Sequence, residues 1–115
     1  MDYLRHNLRD WGREVFLVVL LNGRNQVLDI VELFEGTFTT SAVYPREVIK
    51  LILEKDAAAV IFVHNHPSGN PNPSKDDQNL TKKLKATCST IDVQLHDHLI
   101  IAGNNYTSMA DKGMV

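Results

Sequence analysis

Residues 57–77 read AAAVIFVHNHPSGNPNPSKDD, and this stretch predicts a strand, a loop and a helix in succession. The apolar, β-branched run at 57–64 is typical of a strand buried on both faces. Three of the chain's four prolines and one glycine fall within 67–73, so this part is predicted to be an irregular loop. Ser74 then has the features of a helix N-cap, because two aspartates follow it in the first turn.

The rest of the chain predicts further strands and helices around this unit. Asn22-Gly23 lies between two β-like runs and is a strong hairpin signal. The predicted elements in chain order are a short lead-in helix at 3–13, strands at 14–21 and 26–34, a helix at 45–55, a strand at 57–64, a helix from about 75 to 89, a strand at 92–102 and a short tail from 106. Hairpins pair strands antiparallel and helical crossovers permit parallel pairing, so an α/β fold with a mixed sheet is predicted.

Composition and length indicate one globular domain. The 115 residues are 43% hydrophobic and 23% charged, which excludes a disordered chain. The formal net charge of −2 is not that of a dedicated polyanion binder. Cys88 is the single cysteine, so no intrachain disulfide can form and a reducing compartment, the cytoplasm, is expected. The longest apolar runs are too short to cross a membrane, and no signal peptide is recognised.

The end of the central predicted strand has the spacing of a metal site. His64 and His66 are two residues apart, and the period of a strand directs both imidazoles to the same side. Asp77, eleven residues beyond His66, supplies a carboxylate from the first turn of the next helix. Two imidazoles and one carboxylate are a common set for catalytic zinc, with the fourth position left to water. Such a site also needs a carboxylate base and a donor for the oxyanion.

Each of these features also has a purely structural explanation. Paired strand histidines are often ordinary polar residues of a core or a surface. Ser74-x-x-Asp77 is similar to a capping box, in which Ser74 caps the helix and Asp77 favours the helix dipole. Capping and ligation are compatible, because a cap would orient the turn that presents Asp77.

The stretch HNHPSGNPNPSKDD at 64–77 closely resembles the signature of the RadC family. It contains the H-x-H-P…S-x-x-D pattern of the JAMM (MPN-type) zinc metalloproteases and deubiquitinating isopeptidases. Further RadC-like pieces occur in order, namely Glu14-Val15-Phe16 with Leu21, Phe34-x-Gly36-Thr37, Tyr44-Pro45-Arg46-Glu47, Ala57-Ala58-Ala59 and Asp97-His98-Leu99-Ile100. The resemblance therefore covers nearly the whole chain.

The resemblance implies a cytidine-deaminase-like α/β fold of the JAMM/MPN kind, with a mixed sheet flanked by helices. By position it makes His64, His66 and Asp77 the ligands of Zn²⁺. Ser74 matches the JAMM serine that helps to bind the water or the oxyanion.

The catalytic glutamate of the JAMM family lies on an early strand, upstream of the histidines. Glu14, at the start of the first predicted strand, is the best match for this general base. Glu32 and Glu35 are the alternatives, and the purely structural explanation of Glu14 is a strand-end charge in solvent.

Two departures from the family pattern limit what the resemblance implies. JAMM peptidases usually have Ser or Thr between the two histidines, whereas this chain has Asn65, as RadC-like proteins do. RadC-like proteins also commonly have a helix-hairpin-helix region before this domain. Here the lead-in comprises residues 1–13 and the RadC-type JAMM/MPN domain residues 14–115, so the part most readily linked to DNA is not expected.

Two further groups of residues have competing interpretations. His96 and His98 form a second H-x-H pair, for which a polar pair within the sheet is favoured over a second metal site or a role around the first. Lys82, Lys83 and Lys85 form a short basic run, for which a solvated helix face is favoured over a nucleic-acid contact.

The leading interpretation is a zinc-dependent hydrolase of the JAMM class that cleaves a peptide or isopeptide bond in a peptide or protein substrate. In it His64, His66 and Asp77 hold the metal, Glu14 moves the proton and Ser74 donates to the oxyanion. The alternative is a non-enzymatic nucleic-acid-binding module associated with DNA repair. A phosphodiesterase and a degenerate scaffold are weaker alternatives, because only one metal set is visible and that set is complete.

Overall fold

The computed structural model describes residues 14–36 and 43–115. The lead-in helix predicted at 3–13 lies outside the described residues. The elements are β1 (Glu14–Leu21), β2 (Val27–Gly36), α1 (Pro45–Lys55), β3 (Ala59–Asn65), α2 (Lys75–Ser89), β4 (Gln94–Ala102) and β5 (Asn105–Ser108). The two predicted helices of this part are confirmed, and the predicted strands agree with the observed ones to within two residues at each end. The chain is a mixed α/β fold.

The five strands form one sheet in the order β2-β1-β3-β4-β5. β1 pairs antiparallel with both β2 and β3, which places the hairpin at one side of the sheet. β3 and β4 pair in parallel because α2 carries the chain back across the sheet between them. The mixed sheet predicted from the hairpin and the crossover is therefore confirmed.

The larger apolar core lies between one face of the sheet and the two helices, and we call this the helix-side face. Its buried members include Phe16, Val18, Leu20, Val60, Phe62 and Leu95 from the strands, and Val48, Ile52, Leu80, Leu84 and Cys88 from the helices. A second cluster on the opposite face of the sheet comprises Val15, Leu17, Val19, Leu21, Ala59, Val63, Leu99 and Ile101. The inner strands are thus apolar on both faces, as the unbroken apolar runs predicted.

β4 contains a bulge that changes which residues face the helices. Val60 and Ile61 are consecutive on β3, yet they pair with Leu95 and Asp97, so His96 is an extra residue on β4. The residues before and after the bulge therefore do not follow a single alternation. A strict alternation of faces along residues 92–102 therefore does not hold, because periodicity in the sequence does not reveal an inserted residue.

The segment after β4 also differs from the prediction. The sequence predicted a turn and then a short tail, but Asn105–Ser108 forms β5 and pairs antiparallel with the end of β4. Gly103 has a φ of 58°, a left-handed conformation that glycine adopts without strain, and it permits the tight reversal. Within the described residues, neither helix is long and apolar enough to cross a membrane.

Candidate metal centre

His64 and His66 lie where β3 leaves the sheet. His64 pairs with Phe16 of β1 and shares its side of the sheet, so its imidazole points to the helix-side face, where it is 1% exposed. His66 follows the strand, and its backbone N–H still donates to the carbonyl of Ile101 at 2.8 Å. Gly69, with a φ of 87°, then turns the chain away and donates to the carbonyl of His66.

Asp77 is presented by a capping box at the start of α2. The Ser74 hydroxyl accepts a hydrogen bond from the backbone N–H of Asp77 at 3.0 Å. The backbone N–H of Ser74 in turn donates to Asp77 Oδ2 at 2.8 Å. These two bonds orient the carboxylate, which is 3% exposed, toward the end of β3. The capping role of Ser74 is therefore observed, and the same two hydrogen bonds direct the Asp77 carboxylate toward the histidines.

The three side chains converge on one point. His64 Nε2 lies 3.0 Å from His66 Nε2 and 3.3 Å from Asp77 Oδ1, and His66 Nε2 lies 3.2 Å from Asp77 Oδ2. Ligand atoms of a tetrahedral zinc site with bonds of about 2.0 Å are separated by about 3.3 Å. Within the ranges described, these residues form the group that could hold a metal ion. Their chemistry and spacing fit a divalent cation such as zinc.

The backbone around the loop supports this use of His66. His66 Nδ1 lies 2.9 Å from the carbonyl oxygen of Asn70, which can only accept, so Nδ1 carries the proton. A neutral imidazole has one ring proton, and Nε2 is then the nitrogen with the lone pair. A ligand nitrogen of His66 thus faces the other two groups.

The electrostatics of the cluster favour a positive charge at its centre. Burial opposes ionisation of Asp77, but hydrogen bonds with His64 and His66 outweigh it and hold the pKa of Asp77 well below its ordinary value. The hydrogen bond with Asp77 raises the pKa of His66. The cluster therefore keeps its carboxylate ionised and attracts either a proton or a cation.

Glu14 lies at the edge of this cluster. Glu14 lies two residues before Phe16 on β1, so the two residues share the helix-side face. Phe16 pairs with His64, and Glu14 therefore lies next to this pair on the same face of the sheet. Its negative charge contributes to the raised pKa of His66. The side-chain oxygen of Asn65 accepts from the backbone N–H of Val15 at 2.7 Å and ties this end of β1 to the ligand strand.

The alternatives to Glu14 are less well placed or lie outside the description. Glu32 is exposed and pairs with Leu17, whose side chain belongs to the second face, so Glu32 lies across the sheet from His64. The side chain of Glu35 lies outside the described residues. Of the two candidate glutamates whose side chains are described, Glu14 alone is on the face of the metal cluster.

Among the residues that the structure describes, the second H-x-H pair is not part of a group that could hold a metal ion. His96 hydrogen-bonds at 2.8 Å with Asn25 in the turn between β1 and β2. His98 is fully buried and lies 2.7 Å from His64 Nδ1. Burial lowers the pKa of His98 well below its ordinary value. Of the predicted polar pair, His98 therefore lies within the sheet against His64 of the first cluster, and His96 is bonded to the hairpin turn.

Sequence reasoning missed Thr81, which is fully buried beside His98. A signal was present, because Thr81 is four residues after Asp77 on the same helix and so shares its face. The amide of Asn65 was noted as a departure from the JAMM pattern, but its bond to β1 was not predicted.

A family model described as RadC-like JAB domain matches residues 1–114. The chain belongs to this family. Among similar proteins, a UPF0758 protein of Shewanella baltica strain OS185 is 49% identical over 114 residues, which is 99% of this chain and 51% of the relative. UPF0758 proteins of Shewanella woodyi and Shewanella amazonensis are each 48% identical, with the same coverage of both chains.

This RadC-like JAB domain spans about half the length of the curated relatives it matches. Their names state no activity. The family resemblance inferred from the 64–77 motif is confirmed, and the mixed sheet with two helices on one face is consistent with the expected JAB/MPN-type fold.

Proposed function

We propose that this RadC-like JAB domain is a zinc-dependent hydrolase that cleaves a peptide or isopeptide bond in a peptide or protein substrate. The observation that carries the proposal is the convergence of two imidazole nitrogens and one carboxylate within 3.0–3.3 Å of one another. When bound, zinc supplies Lewis acidity and lowers the pKa of a water molecule toward about 7.

Glu14 is the proposed general base. It begins the strand that pairs with β3 and lies on the face of the metal cluster, which supports a role in taking a proton from the attacking water. The same carboxyl group then returns this proton to the leaving amine. Asn65, through its bond to Val15, holds this end of β1 in place.

Ser74 is the proposed oxyanion donor. Its oxygen accepts from the Asp77 backbone N–H, and this bond leaves the hydroxyl hydrogen of Ser74 able to donate. Ser74 is exposed at the start of α2, where the positive end of the helix dipole also favours a developing negative charge. The geometry thus supports both a capping and a catalytic use of one side chain.

The test combines metal binding with turnover. The purified chain is titrated with Zn²⁺ and then incubated with a library of quenched fluorogenic peptides and with substrates joined through a lysine ε-amino group. We expect one zinc ion per chain and cleavage that stops when a chelator is added. A chain that binds zinc and cleaves neither class of substrate would contradict the hydrolase and favour a scaffold.

A second candidate function is a non-enzymatic nucleic-acid-binding module. The observation in its favour is that Lys82, Lys83 and Lys85 of α2 are all exposed. The net charge of −2 weighs against it, because phosphate contacts need clustered positive charge. DNA binding that weakens with salt, survives His64→Ala and is lost when the three lysines become glutamine would favour it.

Residence in the cytoplasm and the boundary between a lead-in at 1–13 and a domain at 14–115 remain predictions.

A further inference from the structure

A line of three buried hydrogen bonds connects the side chain of His64 to the backbone of Asp77 through the interior. Thr81 Oγ1 lies 2.8 Å from the backbone oxygen of Asp77 and 2.6 Å from His98 Nδ1. His98 Nε2 lies 2.7 Å from His64 Nδ1. Thr81 and His98 are 0% exposed and His64 is 1% exposed, so water does not compete for these bonds.

The direction of each bond follows from the first one. The carbonyl oxygen of Asp77 can only accept, so the single hydroxyl proton of Thr81 is donated to it. Thr81 Oγ1 must then accept from His98, which places the proton of His98 on Nδ1. The other neighbour of the Thr81 hydroxyl, Met109 Sδ at 3.5 Å, is a weak acceptor and does not change this order.

The Nε2 nitrogen of His98, opposite Nδ1, is an acceptor. The two ring nitrogens of this buried side chain contact an uncharged hydroxyl and another imidazole, an environment that disfavours a charged ring. A neutral His98 with its proton on Nδ1 has its lone pair on Nε2. His64 Nδ1 must therefore donate to it, and the lone pair of His64 is left on Nε2.

We propose that His98 is a positioning residue which, held by Thr81, fixes His64 in the tautomer that presents Nε2 to the metal. This rests on the metal centre of the proposed function. Outer partners of metal-binding histidines orient the ring and raise its basicity, and their loss typically weakens metal binding by about 10- to 100-fold. The Thr81 hydroxyl also bonds to the backbone of Asp77, so one set of bonds joins two ligands from different elements.

Paired substitutions at each position separate the proposed role from general packing. His98→Gln places an acceptor near the position of Nε2, whereas His98→Asn reaches only toward Thr81. Thr81→Ser keeps the hydroxyl, whereas Thr81→Val keeps the shape and removes it. His96→Gln on the same strand is the control.

The first measurement is the affinity of the full chain for Zn²⁺, by competition with a chelator. We expect His98→Asn and Thr81→Val to bind zinc about 10- to 100-fold more weakly than the wild type. We expect His98→Gln, Thr81→Ser and His96→Gln to remain within about threefold of it, because they leave the acceptor or the hydroxyl in place. Thermal unfolding of each metal-free variant identifies any that fail to fold.

The second measurement does not depend on any variant. Imidazole ¹⁵N spectra of the zinc-loaded wild type should show His98 neutral with its proton on Nδ1, and His64 with a slowly exchanging proton on Nδ1. A proton on Nε2 of His98 would overturn the inference, since the order of donors would be reversed.

The outcomes distinguish the two proposals. If the wild type binds no zinc, the metal centre is wrong and the role of His98 falls with it. If the wild type binds zinc and His98→Asn binds it equally well, only the inference is wrong. If His98→Asn and Thr81→Val lose affinity for zinc while the wild type cleaves no substrate, the inference stands and the proposed hydrolase function is wrong.

Discussion

The chain has two H-x-H pairs on neighbouring parallel strands, and they have different structural roles. His64 and His66 at the end of β3 converge with Asp77, and of the three His64 and Asp77 are buried while His66 is partly exposed. His96 and His98 on β4 diverge, because His96 occupies a bulge and bonds to a surface turn while His98 is buried behind His64. The same three-letter pattern thus yields a candidate metal site in one strand and its support in the next.

The difference shows that the H-x-H spacing is not what creates a ligand set. The first pair lies at the end of its strand, where a capped helix supplies a third donor. The second pair lies within its strand, and the bulge at His96 places its two members in different environments. A third donor and an uninterrupted register are the features that distinguish the two pairs.

The largest expected effect comes from breaking the first pair. His64→Ala should weaken zinc binding by more than about 100-fold, beyond the loss expected for an outer partner, and should remove turnover. The measurement is chelator competition together with the fluorogenic peptide assay. His96→Ala is the matched control, and equal losses in the two variants would contradict the distinction between the pairs.

A second substitution separates binding from chemistry at the first pair. Glu14→Gln should lower kcat by about 10²- to 10⁴-fold, because the amide cannot take the proton from water. The affinity for zinc should change little, because Glu14 lies beside the three ligands and is not itself one of them. Both are measured on the same sample, and an unchanged kcat would remove Glu14 as the base.

Metal binding should also stabilise the fold through the first pair. At a free zinc concentration 100 times Kd the native state gains about 2.7 kcal/mol, which raises Tm by roughly 10 °C for a chain of this size. Calorimetry with zinc and with a chelator measures the difference. The shift should persist in His96→Ala and vanish in His64→Ala, and a shift of equal size in both would mean that zinc binds elsewhere.

The metal-free protein should show a pH dependence that originates in this cluster. The hydrogen bond with Asp77 raises the pKa of His66 above its ordinary value of 6.5. This contribution to stability is fully present below 6.5 and is lost as the pH rises through the raised value. Tm measured with a chelator should fall over that window. Asp77→Asn should flatten this part of the profile, and an unchanged slope would argue against the His66–Asp77 interaction.

The smallest effect is expected at the second pair. His96→Ala removes a hydrogen bond at the surface, so the free energy of unfolding should change by less than about 0.5 kcal/mol. Chemical denaturation measures it. A loss of several kcal/mol would show that the bulge itself depends on His96.

Much of the fold and most of the candidate site could be predicted because their signals are local. Pro45 and the Ser74 cap indicated where the two helices begin, and Asn22-Gly23 indicated the hairpin. The three candidate ligands were found from the end of a strand and the first turn of a helix. Strand β5 was missed, since four residues of mixed character become a strand only through pairing with β4.

The amino-acid pattern was sufficient for two helices and four of the five strands of the described residues, the mixed sheet, the family and the candidate set of His64, His66 and Asp77, because these depend on signals from residues close together in the chain. Only the tertiary structure decided the bulge at His96, the hydrogen bonds from Thr81 through His98 to His64, and the bond from Asn65 to β1. Each depends on hydrogen bonds between elements far apart in sequence, and strand register, rather than residue type, decides which side chains meet.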